Sequence, residues 1–359
     1  MTSLHKNALR ASAVLFVAAI VLFAMDQPVT GGPILTAFFA FASYGVRGNR
    51  KLRGISFSLL IFASVTLAMT FPAWFVSWGE FRLSTLIVPL LQLIMFGMGT
   101  AMSVKDFGEV VKAPKAVGVG LVCQFTVMPF VGAGLAMAFG FSPEIAAGVI
   151  LIGAAPSGLA SNVMAYIGKA NLALSVTLTT VATLIAPFIT PFYMQWLAGQ
   201  YIPIDALGMM WSITKITILP IIAGLIFNRL FHGKTEWLDR LMPKVSMGGI
   251  AFILMIMTAG RRDELLAVGV ILILVALLHN VAGFTLGYWS CRLLGMDEKS
   301  CRTISFEVGL QNAGLATGLA QDLGRMVALA PVVFGSLMNI TGATLATYWR
   351  DRPNRGPLK

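Results

Sequence analysis

The chain has 359 residues, of which 57% are hydrophobic and 11% are charged. A soluble protein of this length carries about 90 charged side chains, more than twice the 26 basic and 15 acidic residues present here. This composition excludes an ordinary soluble globular protein, a disordered chain and a small disulfide scaffold. It predicts an all-α polytopic membrane protein embedded in the lipid bilayer.

Apolar stretches of about 20 residues, the length that crosses a bilayer, predict ten membrane-spanning helices. They cover residues 54–76, 84–103, 115–139, 145–167, 171–197, 207–228, 241–259, 265–290, 299–321 and 327–349. Two shorter apolar runs, 11–25 and 33–46, precede them with turn residues in between. We interpret residues 1–50 as an extra N-terminal helical hairpin. A signal peptide at 11–25 is the alternative, although no cleavage site follows it.

Lys and Arg residues concentrate on one side of the predicted bundle. If the N-terminus is cytoplasmic and all twelve segments cross, 21 of the 26 basic residues fall on the cytoplasmic side and four fall outside. Because cytoplasmic loops carry the excess of Lys and Arg, both termini are predicted to be cytoplasmic, including the tail 350–359, in the cell (inner) membrane. The net charge of +11 therefore reflects topology and predicts no nucleic-acid partner. The remaining basic residue, Lys215, lies within a span, where snorkelling is favoured over a functional role.

The ten spans form two similar sets of five. A shift of 155 positions places Gln124 on His279 and Gly140 on Gly295, and the hydropathy of residues 54–197 follows that of residues 207–349. Since five is an odd number, two such halves have opposite orientations in the membrane. This is the geometry of an inverted repeat.

Small and polar residues interrupt two of the spans at matching places. The first span contains Pro156, Ser157, Gly158, Ser161 and Asn162, and the second contains Glu307, Gly309, Gln311, Asn312 and Gly314. Proline and glycine weaken a helix, so both spans are predicted to break in the middle of the membrane, where unwound backbone must line a polar cavity or be buried in protein. Packing through small residues is the alternative, but it does not explain a carboxylate beside two amides.

Glu307 is the one acidic residue that lies well within an apolar stretch. An acid at the bilayer centre costs about 2.5–3.5 kcal/mol, which favours a functional role over a buried neutral glutamic acid. Ser175 and Thr179 lie four positions apart, so both hydroxyls point from one helix face. Carboxylate, hydroxyl, amide and freed carbonyl oxygens suit a hard cation, whereas the half-helix N-termini favour an anionic group. These features predict coupled transport of an organic anion with a cation.

Five segments of the chain resemble those of the bile acid:sodium symporter family. They are Phe96–Gly99, Gln124–Pro129, Gly153–Asn162, Leu174–Thr179 and Glu307–Asn312. The resemblance covers about residues 54–349. It implies a core domain, residues 115–197 with 265–349, in which the two broken helices cross. It also implies a panel domain, residues 54–103 with 207–259, and alternating access by movement of the core against the panel.

The resemblance also implies two sodium sites that share Glu307. The first matches Ser161, Asn162, Ser175, Thr179 and Glu307, and the second matches Gln124, Glu307, Gln311 and the backbone carbonyls of Val308 and Leu310. The residues assigned to the substrate are Asn312, Leu159, Asn339, Thr341 and His279. Leu159 stands where relatives have a threonine, and Met338-Asn339 stand where many have His-Asn, so the identity of the anion stays open.

The sequence thus predicts a symporter that carries a small monovalent organic anion together with two Na⁺ ions. Three cysteines and three histidines show no metal-binding spacing, and neither an organic cofactor nor a further metal is expected. A proton-coupled transporter or an exporter on the same scaffold is the nearest alternative. A membrane enzyme or a sensor is a more distant one, since the spans contain no pair of a nucleophile and a base. The oligomeric state is open, and a monomer is compatible with the sequence.

Overall fold

The structure, a computed structural model, describes residues 2–49, 52–102, 113–231 and 236–353. The last residue of the predicted span 84–103 and most of the predicted tail 350–359 lie outside the described residues. Helices are numbered in chain order within these ranges. The first three are α1 (Ser3–Ala24), α2 (Pro28–Val46) and α3 (Ser56–Thr70).

The N-terminal hairpin consists of longer helices than its apolar runs predict. Helix α1 extends through Lys6 and Arg10, residues that are good helix formers, and α2 begins at Pro28, whose ring favours the first helical position. Helix α2 packs on both α1 and α3. At one end of its contact with α3, the Ser43 and Ser56 hydroxyls lie 3.1 Å apart, and the Arg47 Nε donates to Ser56 Oγ over 2.9 Å.

The first predicted span is shorter than expected. Helix α3 ends at Thr70 rather than at residue 76, because Pro72 disfavours helical backbone at the residue before it. The chain continues through α4 (Ala73–Val76) and two paired strands, β1 (Ser77–Trp78) and β2 (Phe81–Arg82). A 3-10 turn over Leu83–Leu86 then leads into α5 (Ile87–Ala101).

The remaining helices follow the predicted spans closely. They are α6 (Pro114–Ala138), α7 (Pro143–Ala154), α8 (Leu159–Ile167), α9 (Leu172–Tyr193), α10 (Ala206–Ile213), α11 (Leu219–Leu230), α12 (Glu236–Gly260), α13 (Arg262–Leu293), α14 (Glu298–Gly309), α15 (Ala313–Leu323) and α16 (Leu329–Arg350). Wider π-helical turns extend α9 to Ala198 and join α10 to α11. Each of the spans 145–167 and 299–321 is therefore two half-helices, with a break at residues 155–158 and 310–312.

Among the described residues, eight helices are long and apolar enough to cross a membrane by length and composition. They include α1 and α2, and α10 and α11 count together as one. Shorter apolar helices cover Ser56–Thr70, Pro143–Ala154 and Lys244–Gly260. The architecture is that of an all-α polytopic membrane protein.

Helix bounds recur at a spacing of 155 positions. Both ends of α7 and α14 are separated by this interval, and so are the C-terminal ends of α6 and α13. Gly140 and Gly295, which follow α6 and α13, also share the spacing and a positive φ, +58° and +72°, that favours glycine.

The helices pack as two sets. In one set, α12 packs on α3 and on α5, and α5 packs on α11; in the other, α6 to α9 pack with α13 to α16. Contacts between α5 and α15 and between α3 and α16 join the two sets.

The two ends of the bundle gather the loops that were predicted to share a side. At one end, Glu144 Oε2 accepts a hydrogen bond from Met326 N over 2.6 Å, and Arg325 pairs with Glu264 at 2.7 Å. At the opposite end, Lys115 Nζ donates to Leu294 O over 3.0 Å. The broken helix α7–α8 therefore begins at the end of the bundle where α14–α15 finishes.

Candidate functional site

The two unwound segments lie directly against each other at the centre of the bundle. Ser157 and Gln311 form an isolated antiparallel bridge. On either side of it, Gly158 N donates to Leu310 O over 2.9 Å, and Asn312 N donates to Pro156 O over 2.7 Å. Each break thus satisfies backbone groups that the other frees, which is how non-helical backbone is tolerated at membrane depth. We call this arrangement, residues 155–158 with 310–312, the crossover.

Glycine is required at position 158 by the closeness of the two chains. A Cβ atom there would lie 2.7 Å from Gln311 O and 3.1 Å from its carbonyl carbon. Both are backbone atoms, which cannot turn aside as a side chain can. The crossover is therefore a rigid, closely packed platform for the polar groups around it.

Glu307 lies one turn before the crossover, in α14, and is 1% exposed. Its Oε1 accepts a hydrogen bond from Ser175 Oγ over 2.5 Å, and its Oε2 accepts one from Thr179 Oγ1 over 2.8 Å. Both donors belong to one face of α9. The carboxylate that the sequence singles out thus has hydrogen-bond partners deep in the protein, as a buried charge requires.

Two residues of α8 complete this cluster. Asn162 Oδ1 lies 2.8 Å from Ser175 Oγ and 3.3 Å from Thr179 Oγ1. Ser161 Oγ lies 3.2 Å from Thr179 Oγ1 and donates to Gly158 O over 2.8 Å. The structure therefore brings together all five residues assigned to the first sodium site.

The cluster contains more oxygen acceptors than hydrogens to share. Each serine or threonine hydroxyl donates a single hydrogen, yet Ser175 Oγ lies within hydrogen-bond distance of both Glu307 and Asn162. Thr179 Oγ1 has the same two neighbours and also Ser161. Such a surplus of lone pairs around one carboxylate is the chemistry that a hard cation with oxygen ligands satisfies. These oxygen ligands therefore fit Na⁺.

The residues assigned to the second sodium site form a separate group. Gln124 Nε2 donates to Gln311 Oε1 over 2.7 Å and to Ala155 O over 3.1 Å, and Gln311 Nε2 donates to Val308 O over 2.8 Å. Gln124 Oε1 is buried and has no hydrogen-bond partner among the described residues. The Leu310 carbonyl already accepts from Gly158 N, and both carboxylate oxygens of Glu307 bond within the first cluster. The structure thus joins Gln124, Gln311 and Val308 and leaves an unused buried acceptor beside them.

Two of the residues assigned to the substrate lie at helix N-termini beside the crossover or at its end. Leu159 is the first residue of α8, and Asn312 is the cap of α15, where its Oδ1 accepts from Leu315 N over 3.0 Å. Asn339 and Thr341 lie on α16; the Asn339 amide donates to Gly335 O over 3.0 Å. The N-termini of α8 and α15 are adjacent because both helices start directly after the two bridged segments of the crossover.

His279 lies apart from the crossover. It is 1% exposed, its Nε2 lies 2.9 Å from Met128 O, and its ring packs edge-on to Phe334 at 5.5 Å between centroids. The structure therefore places it in the packing between α6, α13 and α16, and does not bring it together with Leu159 or Asn312.

Asn280, the next residue, contacts the end of α14 and was not among the site residues predicted from the sequence. Its Nδ2 donates to Gly309 O over 2.5 Å, and its Oδ1 accepts from the Thr341 hydroxyl. Gly309 is the last residue of α14, so Asn280 satisfies a carbonyl that the helix end leaves free. An asparagine in the middle of a long apolar span was the available signal.

Lys215 lies on the outside of its helix. The side chain is exposed and its ammonium lies 5.7 Å from the centre of the Trp211 ring. This exposed placement against an aromatic ring is compatible with a snorkelling lysine.

Comparison of the sequence with known proteins shows which family the chain belongs to. The sequence model of the Sodium Bile acid symporter family matches residues 88–276. The uncharacterized sodium-dependent transporter YocS of Bacillus subtilis (strain 168) is 38% identical over 308 residues, which cover 86% of this chain and 94% of the relative. The chain belongs to the sodium bile acid symporter family.

Plant relatives extend the comparison within the sodium bile acid symporter family. The probable sodium/metabolite cotransporter BASS1, chloroplastic, of Arabidopsis thaliana is 35% identical over 72% of this chain and 65% of the relative. The rice protein of the same name, from Oryza sativa subsp. japonica, is 30% identical over 82% of this chain and 76% of the relative. The resemblance inferred from five short segments is thus confirmed, and with it the prediction of a membrane transporter rather than an enzyme.

Proposed function

We propose that this protein is a sodium-coupled symporter that carries a small monovalent organic anion with two Na⁺ ions by alternating access. The observation that carries the proposal is the cluster around Glu307, in which one buried carboxylate and four hydroxyl or amide side chains face one another at the crossover. Membership of a family of sodium-dependent transporters supports the choice of cation.

The first Na⁺ ion binds among Ser161, Asn162, Ser175, Thr179 and Glu307, where the acceptor surplus lies. The second binds beside Gln124 and Gln311, with Glu307 and the carbonyls of Val308 and Leu310 as the remaining ligands. The unused Gln124 Oε1 supports this second position. Because two cations then share one carboxylate, the loaded site carries a net positive charge that attracts an anion.

The anionic group of the substrate binds at the paired N-termini of α8 and α15. Each helix start carries a partial positive charge and free N–H groups, and both starts lie at the crossover. Leu159 and Asn312 are the side chains nearest in sequence to these starts, and Asn339 and Thr341 lie on the neighbouring α16. Leu159 in place of a threonine favours an anion with an apolar group next to its charge.

The chain is an inverted repeat of residues 54–197 and 207–349. The recurrence of helix bounds at 155 positions and the antiparallel bridge between the two breaks support this architecture. The set containing the crossover is the core domain, and α3, α5, α11 and α12 form the panel domain, with both termini in the cytoplasm of a cell whose inner membrane holds the protein.

Sodium flux in proteoliposomes tests the proposal. Purified protein is reconstituted, and uptake of ²²Na⁺ is measured with and without a pool of small monocarboxylates, in vesicles with wild type, with Glu307→Gln or without protein. We expect anion-stimulated uptake in wild type only. Anion uptake that proceeds at the same rate when K⁺ replaces Na⁺ and that responds to a pH gradient instead would overturn sodium coupling and favour a proton-coupled transporter.

A further inference from the structure

A basic cavity lies at the end of the bundle that carries the C-terminus, away from the crossover. Its volume is about 550 Å³. Four of its lining residues are cationic, Lys169, Lys299, Arg302 and Arg352, and no acidic residue lines it among the described part of the chain. A cavity of this size with several cationic side chains around it suits an anionic occupant with more than one oxygen.

The acidic groups nearest to these cations in sequence already have partners, and one of them neutralises Arg302. Glu298 is 4% exposed and bonds Arg302 at 2.9 Å, with Arg292 at 3.9 Å on its other oxygen. Asp297 accepts from the N–H groups of Lys299 and Ser300 at the start of α14, and Asp351 pairs with Arg350 at 3.1 Å. The positive potential of the cavity therefore comes mainly from Lys169, Lys299 and Arg352.

Arg302 forms the fixed floor of the cavity, and the other three cations form its movable rim. The Arg302 guanidinium is buried and donates to Trp349 O over 3.0 Å and to Pro353 O over 3.1 Å, which ties the end of α16 to α14. The side chains of Lys169, Lys299 and Arg352 are exposed. Leu172, the first residue of α9, also lines the cavity, so the N-terminal dipole of α9 adds to the positive potential.

The cavity lies at helix ends, at the level expected for the headgroup layer of a bilayer. Tyr166 lines it and is 72% exposed, and Tyr348, over whose ring the Arg352 guanidinium lies at 3.9 Å, is 50% exposed. Exposed tyrosines at the ends of spanning helices mark the membrane interface. Basic pockets between helix ends at this level suit phosphate headgroups.

The cavity is separate from the proposed transport site. The residues that line it belong to α8, α9, α14 and the segments that follow α8 and α16, and none belongs to α3, α5 or α10 to α12. It therefore does not lie between the two helix sets. Arg302 precedes Glu307 by five residues, a rise of about 7.5 Å along α14.

We propose that this cavity binds a phosphate-bearing anion, supplied either by the headgroup of an anionic phospholipid or by a free phosphate. The phosphate oxygens accept hydrogen bonds from Lys169, Lys299 and Arg352, and Arg302 holds the helix ends that position them. Occupation would join α8, α9, α14 and the segment after α16 through a single ligand.

Binding to the purified full-length protein tests the proposal. Native mass spectrometry measures retention of cardiolipin against phosphatidylcholine, and thermal stability measures the response to inorganic phosphate against chloride. The test variant combines Lys169→Gln, Lys299→Gln and Arg352→Gln. The matched control removes three exposed cations outside the cavity, Lys6→Gln, Arg10→Gln and Lys244→Gln.

We expect the test variant to bind about fivefold more weakly for each charge removed, while the control binds within about twofold of wild type. A response to cardiolipin alone identifies the lipid headgroup as the source, and a response to phosphate identifies the free anion. Conservative exchange, Lys169→Arg with Lys299→Arg, should keep the binding. The proposal is overturned if wild type shows no preference for either phosphate ligand, or if the test variant binds like wild type.

Discussion

Glu307 keeps a carboxylate in the interior of the bundle because two hydroxyl groups of α9 donate hydrogen bonds to it. Two hydroxyls donate to its two oxygens, and the amide oxygen of Asn162 lies next to the same hydroxyls. An isolated buried carboxylate would cost several kcal/mol. The oxygen acceptors around the carboxylate outnumber the hydroxyl hydrogens that they share. The assignment of Na⁺ to this cluster depends on this surplus of acceptors.

Ser175→Ala should weaken sodium binding without unfolding the protein. The change removes the 2.5 Å donor to Glu307 Oε1 and one proposed sodium ligand, a loss of about 1–3 kcal/mol, or roughly fivefold to 150-fold in affinity. A sodium titration of the melting temperature measures it. The matched control is Ser64→Ala, whose hydroxyl bonds only the Leu60 carbonyl of its own helix. An unchanged sodium midpoint in Ser175→Ala contradicts the assignment.

At the residue scale, the sequence could predict which side chains carry the chemistry but not all of their partners. Glu307 is conspicuous because carboxylates are rare in apolar spans, and Ser175 and Thr179 follow from helical spacing. Asn280 was missed because it acts by donating a hydrogen bond to the Gly309 carbonyl. The sequence does not show that α14 ends at Gly309, nor that Asn280 lies next to this carbonyl in the fold. The assignment of the neighbouring His279 to the substrate stays a prediction; its side chain packs on Met128 and Phe334.

At the element scale, the two pairs of half-helices are held together where their breaks meet. Each broken segment is too short to satisfy its own backbone, and the antiparallel bridge between Ser157 and Gln311 compensates both. The same contact aligns the N-termini of α8 and α15. A change that separates the two strands should therefore damage stability and transport together.

Gly158→Ala should do this. Its Cβ would lie 2.7 Å from the Gln311 carbonyl oxygen, and overpacking of this kind costs about 1–3 kcal/mol. We expect a lower melting temperature and loss of sodium-dependent stabilisation. Gly134→Ala in α6 is the control, since nothing lies within 4 Å of its Cβ position and alanine favours the helix by up to about 1 kcal/mol. Equal melting temperatures for the two variants would contradict the close packing of the crossover.

At the element scale, composition alone predicted both breaks, because proline, glycine and polar side chains coincide there. The register of the bridge could not be predicted, since it depends on how two distant segments meet. The early end of α3 was predictable in principle from Pro72, but the apolar residues that follow concealed it. Helix α1 exceeds its apolar run because helix formers such as Lys6 extend it beyond what hydropathy marks, whereas α2 begins early at Pro28.

At the scale of the whole molecule, the proposed transport cycle requires the two helix sets to move against each other. Helix α5 connects them: a Cβ at Gly314 of α15 would lie 3.3 Å from the Leu91 side chain, and one at Gly249 of α12 would lie 3.1 Å from Ile94. The first contact crosses between the sets, and the second lies within one set.

A cross-link between α5 and α15 should therefore stop transport. In a background with Cys123, Cys291 and Cys301 replaced, Leu91→Cys with Gly314→Cys is expected to lose sodium-coupled uptake after treatment with a cleavable bifunctional thiol reagent and to regain it after cleavage. The pair Ile94→Cys with Gly249→Cys, which joins α5 to α12, is expected to keep its uptake when cross-linked. Equal inhibition of both pairs, or of neither, would contradict movement between these two sets.

Equilibrium binding of ²²Na⁺ to the purified protein tests most directly whether the Glu307 cluster holds the coupling ions. Wild type and Glu80→Gln, which removes an exposed carboxylate, should show saturable binding that unlabelled Na⁺ displaces and K⁺ does not. Glu307→Gln should lose this binding, because both proposed sites share the one carboxylate. Saturable sodium binding of wild-type strength in Glu307→Gln would contradict the account.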